Sequence, residues 1–264
     1  MGDGLGLQDK GGAHSLLDVR QLSVTLGADK IIDNLSFSVN PAEIITVLGP
    51  NGAGKTVLLR SLLGLLPYEG QIIWRGNPRI GYLPQGLNQF AVKDFPLTVH
   101  DMFMLKNGSV RSNDLEYYLQ LVGLEKAALH KRAANLSGGQ FQRMLIAWVL
   151  IARPQVILFD EPATGIDVGG GETIYSLLQT IHKKEKITIL LVTHDLSIVY
   201  KYSTRVLCLS KKGGGCYGPP AEILNTETLQ TLFGNSIGAH VHAMQSAKGS
   251  LPKVDSGDQK GVRQ

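Results

Sequence analysis

The sequence predicts an α/β fold built around a largely parallel sheet, and three observations carry that prediction. Apolar, β-branched runs at Ile44–Leu48, Ile72–Trp74, Val156–Phe159, Ile187–Val192 and Val206–Leu209 read as strands. They alternate with helix-patterned stretches, the order that covers a parallel sheet with helices. Several of the runs also end in polar chemistry: Gly49 opens a glycine-rich turn, Asp160-Glu161 closes a second strand and Thr193-His194-Asp195 a third. Ligand sites gather at the carboxyl ends of such strands.

The 264 residues, 43% of them apolar, are enough for one large domain with a substantial core. A formal charge of +4, with no long block of Lys or Arg, gives no reason to expect a nucleic-acid partner. No apolar run reaches the roughly 18 residues needed to span a bilayer. Met144 to Ala152, among the longest, reads as a buried helix face, so any membrane association is expected through a partner or the surface. The N-terminus lacks the basic-then-apolar layout of a secretory signal, and Cys208 and Cys216 are too few and unpatterned for a disulfide framework; both point to the cytosol.

Residues 1–14 are rich in Gly, and residues 241–264 offer few large apolar groups, so both ends are expected to be poorly ordered around a working domain at 15–240. Between Gln85 and Leu136 the pattern becomes helical, as at Val99–Leu105 and Leu115–Leu121, with no convincing strand. A helical subdomain inserted at about 86–136 is the expectation.

The segment Gly49-Pro50-Asn51-Gly52-Ala53-Gly54-Lys55-Thr56 fills every fixed position of a phosphate-binding P-loop and lies between a strand-like and a helix-like run. Its glycines permit a tight turn whose N–H groups converge on phosphate oxygens, and the helix that follows presents its positive end to the same place. Lys55 is then expected at the β- and γ-phosphates and Thr56 on Mg²⁺, a hard cation that prefers oxygen ligands. The chain is therefore read as a nucleoside-triphosphate binder. Asp160-Glu161 would by itself be an ordinary solvated loop start. Behind a P-loop it supplies what a nucleotide hydrolase needs, with Asp160 for the metal's water shell and Glu161 to orient and deprotonate the attacking water.

Leu136-Ser137-Gly138-Gly139-Gln140 lies between these two motifs, with Ser137 placed to cap a helix over Phe141–Ala152 and Gly138 and Gly139 baring N–H groups at its positive end. Here the sequence resembles the ABC ATPase family, whose signature pentapeptide this is; Gln142 and Arg143 also fit. The resemblance covers about residues 16–235. It implies the ABC form of the P-loop fold: a mainly parallel RecA-like sheet core, an antiparallel β subdomain and the inserted helical subdomain. It also implies ATP and Mg²⁺ as cofactors, with Ser137, Gly138, Gly139 and Gln140 closing over nucleotide held by a second copy in a head-to-tail homodimer. Gln85, in Gly81-Tyr82-Leu83-Pro84-Gln85, resembles the glutamine that senses Mg²⁺ and attacking water. Asp167 resembles the aspartate that communicates across the dimer, and His194 the switch histidine that contacts the γ-phosphate.

The layout of one nucleotide domain without a membrane span resembles a separately encoded subunit docked beneath permease subunits, on the cytoplasmic face of the membrane. Arg79–Gln85, Phe95-Pro96-Leu97-Thr98-Val99 and Val206–Leu209 resemble the ATPases of zinc importers most, then those of manganese importers. Such systems imply a periplasmic or extracellular metal-binding protein as an indirect partner. The chain departs from the pattern at Leu26, where an aromatic residue usually stacks on adenine, at Ala163, and at Gly169-Gly170-Gly171. His240 and His242 lack Cys or carboxylate companions and read as bystanders. A soluble clamp on ribosomes or DNA would carry tandem ATPase domains or long coiled coils, and neither is seen. A P-loop kinase would leave Leu136–Gln140 and His194 without a role.

Overall fold

In a computed structural model that describes residues 15–87, 94–107, 111–163, 168–211 and 215–234, two sheets share one interior. The first is antiparallel, with β1 (Leu17–Leu26) between β2 (Asp29–Val39) and β4 (Glu69–Trp74). The second has six strands in the order β5 (Ile80–Leu83), β6 (Val156–Asp160), β7 (Thr188–Val192), β3 (Ile44–Leu48), β8 (Arg205–Cys208) and β9 (Tyr217–Gly218). All of its pairings are parallel except β8 with β9.

The parallel strands are buried on both faces, and the two-residue period of a strand divides their side chains between two cores. Ile45, Val47, Val156, Leu158, Leu190 and Val192 turn toward the antiparallel sheet and α1 (Lys55–Leu62). Ile44, Ile157, Phe159, Ile189 and Leu191 turn the other way, onto α4 (Gly138–Leu150) and α5 (Val168–Glu185). The second core continues into α2 (Val99–Asn107) and α3 (Ser112–Leu121), which lie in sequence between β5 and α4 and carry the helical pattern expected of this stretch. Thr98 and Arg132 make a single antiparallel bridge there. A third, smaller core lies under α6 (Leu196–Tyr202), α7 (Pro220–Ile223) and α8 (Thr226–Phe233).

Two sequence readings need correction. Ile72–Trp74 belongs to the antiparallel sheet, paired with β1 through Val19 and Leu17, not to the parallel one. The pattern that favours β-branched residues is blind to strand direction. Cys208 and Cys216 are joined by a disulfide, with Cα atoms 4.8 Å apart. The hairpin creates this proximity: Cys208 N–H donates to the Cys216 carbonyl at 2.8 Å, so one cross-strand bond forms where no framework was expected. The run of three glycines after the expected dimer aspartate falls within α5. Residues 1–14, the tail with His240 and His242, and Asp167 lie outside the described residues.

The short strand β5 shows how the helix layer sets its sequence. A β-carbon on Gly81 would overlap Val149 Cγ1 of α4 and meet Pro154 at 3.6 Å, so the helix packs directly on backbone. Gly81→Val is expected to destabilise the fold by about 1–3 kcal/mol, the range for overpacking a filled interior. A denaturant titration measures this, and an unchanged midpoint contradicts it.

Candidate nucleotide-hydrolysis site

The loop after β3 is forced into its shape by three glycines. Gly52 and Gly54 sit at φ 80° and 91°, the left-handed region open to glycine. A β-carbon on Gly49 would collide with the Leu209 carbonyl oxygen of the neighbouring chain segment, and one on Gly54 would come within 2.8 Å of Ile31 Cγ2. The turn therefore lies close against its neighbours and delivers the N-terminus of α1 to the end of the sheet.

Lys55 is buried, and its ammonium donates to the carbonyls of Gly49 at 2.9 Å and Pro50 at 3.0 Å. Burial holds its pKa below the usual lysine value, against the pull of Glu161 and Asp160. Thr56 Oγ1 donates to Asp160 Oδ2 at 2.7 Å, tying α1 to the end of β6. Asp160 is buried in turn, and burial raises its pKa; the Thr56 hydrogen bond opposes that shift and the charge of Glu161 adds to it. Asp160 Oδ1 makes no hydrogen bond among the described residues.

Glu161 follows at φ 50°, an uncommon conformation for a side chain of its size, with its N–H donating to the Val192 carbonyl at 3.1 Å. The turn carries its carboxylate out of the strand and into the cleft. There Gln85 Nε2 donates to Oε2 at 3.1 Å, and His194 Nδ1 stands 3.6 Å from Oε1. Gln85 leaves the end of β5 and His194 the end of β7, on either side of β6. Three adjacent strands thus meet at one carboxylate.

The resulting cleft, of about 460 Å³, is lined by Asn51, Gly52, Gly54, Lys55, Thr56, Gln85, Asp160, Glu161 and His194, together with Ile31 and Val57. Pro50 and Ala53 belong to the same loop, whose turn is closed by the Ala53 N–H donating to the Pro50 carbonyl at 3.2 Å. The signature residues stand elsewhere. Ser137 Oγ accepts from the Gln140 N–H at 3.2 Å while Gln140 Oε1 accepts from the Ser137 N–H at 3.1 Å, a reciprocal cap at the start of α4. None of Ser137, Gly138, Gly139 and Gln140 lines this cleft.

Sequence reasoning missed Ile31 and Val57, the apolar part of the lining, and Lys211, whose Nζ lies 3.6 Å from where a β-carbon on Gly52 would sit. Val57 directly follows the P-loop and was within reach of it. Ile31 and Lys211 arrive from other elements and carry no local signal. Leu26 is exposed at the end of β1, and no aromatic side chain lines the cleft among the described residues.

The chemistry of the site suits a metal-bound triphosphate. An unpartnered buried carboxylate oxygen beside a threonine hydroxyl is an all-oxygen donor set that fits a hard dication such as Mg²⁺. A buried ammonium and a glycine loop fit the phosphates.

A family profile described as ABC transporter matches residues 32–164. The zinc import ATP-binding protein of Wigglesworthia glossinidia brevipalpis is 37% identical over 222 residues, 84% of this chain and 94% of that protein. The probable metal transport system ATP-binding protein of Thermotoga maritima is 38% identical over 226 residues, covering 83% of this chain and 90% of its own. Among solved structures, a chain of an ABC transporter in an inward-facing conformation superposes with a TM-score of 0.74 at 28% identity, covering 83% of this chain and 89% of that one. The chain belongs to the ABC transporter ATP-binding family. It is an ATP-binding protein and an ATPase of that class. Among the described residues no helix is long and apolar enough to cross a membrane.

Proposed function

We propose that this chain is the energy-coupling ATPase subunit of an importer for a divalent metal ion, zinc in the first place, held beneath permease subunits at the cytoplasmic face of the membrane. The observation that carries the reading is the likeness to zinc import ATP-binding proteins over more than four-fifths of the chain. In this reading a metal-binding protein outside the membrane delivers the cargo to the permease.

Within the site, Gly49 to Thr56 cradle the phosphates, with Lys55 on the β- and γ-oxygens. Thr56, Asp160 and Gln85 would hold Mg²⁺ and its water shell; when bound, the ion neutralises charge developing on the phosphate oxygens. Glu161 takes the proton of the attacking water, Gln85 positions that water, and His194 contacts the γ-phosphate. The capped start of α4, with Ser137, Gly138, Gly139 and Gln140, is placed by this reading over the nucleotide of a second copy in a head-to-tail pair, with Asp167 communicating between them. Its exposed Ser137 and its distance from the chain's own cleft lining are compatible with that arrangement. ATP then acts as an adhesive between subunits and hydrolysis releases it.

Uptake of labelled zinc and manganese in cells whose only copy is wild type or Glu161→Gln tests the cargo. Loss of zinc uptake in the variant is expected. Loss of manganese alone would replace the cargo, and unchanged uptake of both would remove metal import from the reading.

A further inference from the structure

His194 reaches the cleft on a short turn between β7 and α6, and side-chain bonds hold that turn on both sides. Thr193, which precedes it, is buried, with its N–H donating to the Val47 carbonyl at 3.4 Å. Thr193 Oγ1 accepts from the Asp195 N–H at 3.2 Å, so one side-chain hydrogen bond closes the backbone around His194. Asp195 then caps α6, its Oδ1 accepting from the Ser197 N–H at 2.8 Å.

Thr193 Oγ1 carries a second bond, and this one comes from another element. Tyr175 of α5 is buried, and its hydroxyl shares a hydrogen bond with Thr193 Oγ1 at 3.3 Å. The same ring stacks on Tyr202 at the far end of α6, with centroids 6.4 Å apart and planes 26° apart. The ring therefore steadies one end of α6 and the hydroxyl the turn at the other. Packing alone does not ask for that oxygen. A phenylalanine would fill the same apolar layer, and a phenol buried there is costly unless it is hydrogen-bonded. Burial holds the phenol's pKa above its usual value, and the charges of Asp195 and Glu161 add to the rise against the Thr193 hydrogen bond. The group thus stays a neutral hydroxyl that can donate.

We propose that Tyr175 is a positioning residue for His194: its hydroxyl fixes Thr193 Oγ1, which holds the turn that sets the imidazole against Glu161 and the γ-phosphate. The inference rests on the proposed role of His194 and deepens it. Tyr175 lies outside the cleft lining, so it acts through the turn and not on the nucleotide.

The test is a double-mutant cycle on ATP turnover by the full-length protein, with wild type, Tyr175→Phe, His194→Ala and the double variant. Single-turnover rates with protein in excess keep the slow variants readable. The phenylalanine keeps the ring and its stack on Tyr202, so the fold survives. Tyr175→Phe is expected to lower kcat about ten-fold, less than the roughly 10²-fold that a full 1 Å misplacement costs, at unchanged KM for ATP. Residues that act as a unit are not additive, so in the His194→Ala background the same change is expected to cost no more than about two-fold. An unchanged kcat in Tyr175→Phe overturns the inference. So does a full ten-fold loss in the His194→Ala background, which would place the effect of the hydroxyl elsewhere, and so does a rise in KM that matches the fall in kcat, which would signal general loosening. If His194→Ala alone turns over at the wild-type rate, the γ-phosphate role of His194 falls first and takes this inference with it.

Discussion

Glu161→Gln is expected to lower ATP turnover by about 10²–10⁴-fold, the range a positioned general base supplies, while ATP binding stays intact. The substitution preserves shape. Its amide oxygen still accepts from Gln85 Nε2, and the backbone N–H to the Val192 carbonyl is untouched, so the turn at φ 50° has no new reason to move. Only basicity and charge are lost. Removing that charge eases a repulsion, because Glu161 helps to raise the pKa of Asp160. The carboxylate that faces the metal then ionises more readily, and a triphosphate enters a less negative cleft. Nucleotide affinity is expected to match or exceed wild type in a direct binding titration, and the ATP-bound protein to accumulate as a dimer in size-exclusion chromatography. Turnover within a few-fold of wild type would remove Glu161 as the base. Lost turnover without dimer accumulation would leave the base in place and count against the head-to-tail pair.

The sequence made most of this site legible because its chemistry is local. A P-loop, a strand ending in Asp160-Glu161 and a capped signature helix each occupy a few contiguous residues, and β3, β6 and β7 are continuous apolar runs because both of their faces are covered. The antiparallel sheet was harder to read. β1 breaks its alternation at Gln21, which adopts φ 50°, and the register between β1 and β2 shifts three times. Each bulge moves the following side chains relative to a two-residue period, so the pattern dissolves. β5 is four residues long with a glycine inside it, too little to announce a strand, yet it positions Gln85. The pairing of Tyr82 with Leu158 is a fact of register across 76 residues of chain, and no local motif encodes it. The Cys208–Cys216 bond follows from the β8–β9 pairing in the same way.

Lys55→Met is expected to separate binding from stability in a way few substitutions do. In most buried ion pairs, removing one partner leaves the other unpaired and costs several kcal/mol. Lys55 differs, because the groups it bonds are the neutral carbonyls of Gly49 and Pro50, and burial is the largest influence on its pKa, acting against the charge. Without nucleotide the ammonium bears an uncompensated part of that burial, a cost the apolar methionine avoids. The two carbonyls lose a donor, in a buried bond at Gly49 and a part-buried one at Pro50, and a buried acceptor left without its donor costs about 1–3 kcal/mol. This loss opposes the relief of the buried ammonium, so the variant's melting temperature without nucleotide is expected to stay close to that of wild type. ATP reverses the comparison. The ammonium meets phosphate charge, and hydrogen bonds between charged groups are worth about 1.5–3 kcal/mol each, so affinity should fall on the order of 10²-fold. Ligand at 100 times its Kd stabilises a fold by about 2.7 kcal/mol, and a variant that needs 100 times more ligand loses most of that gain. Thermal melts with and without ATP in chelator read both effects at once. A clear fall in the nucleotide-free melting temperature would mean that Lys55 holds the loop together rather than waiting for phosphate, and an undiminished ATP-induced rise would remove it from the phosphate site.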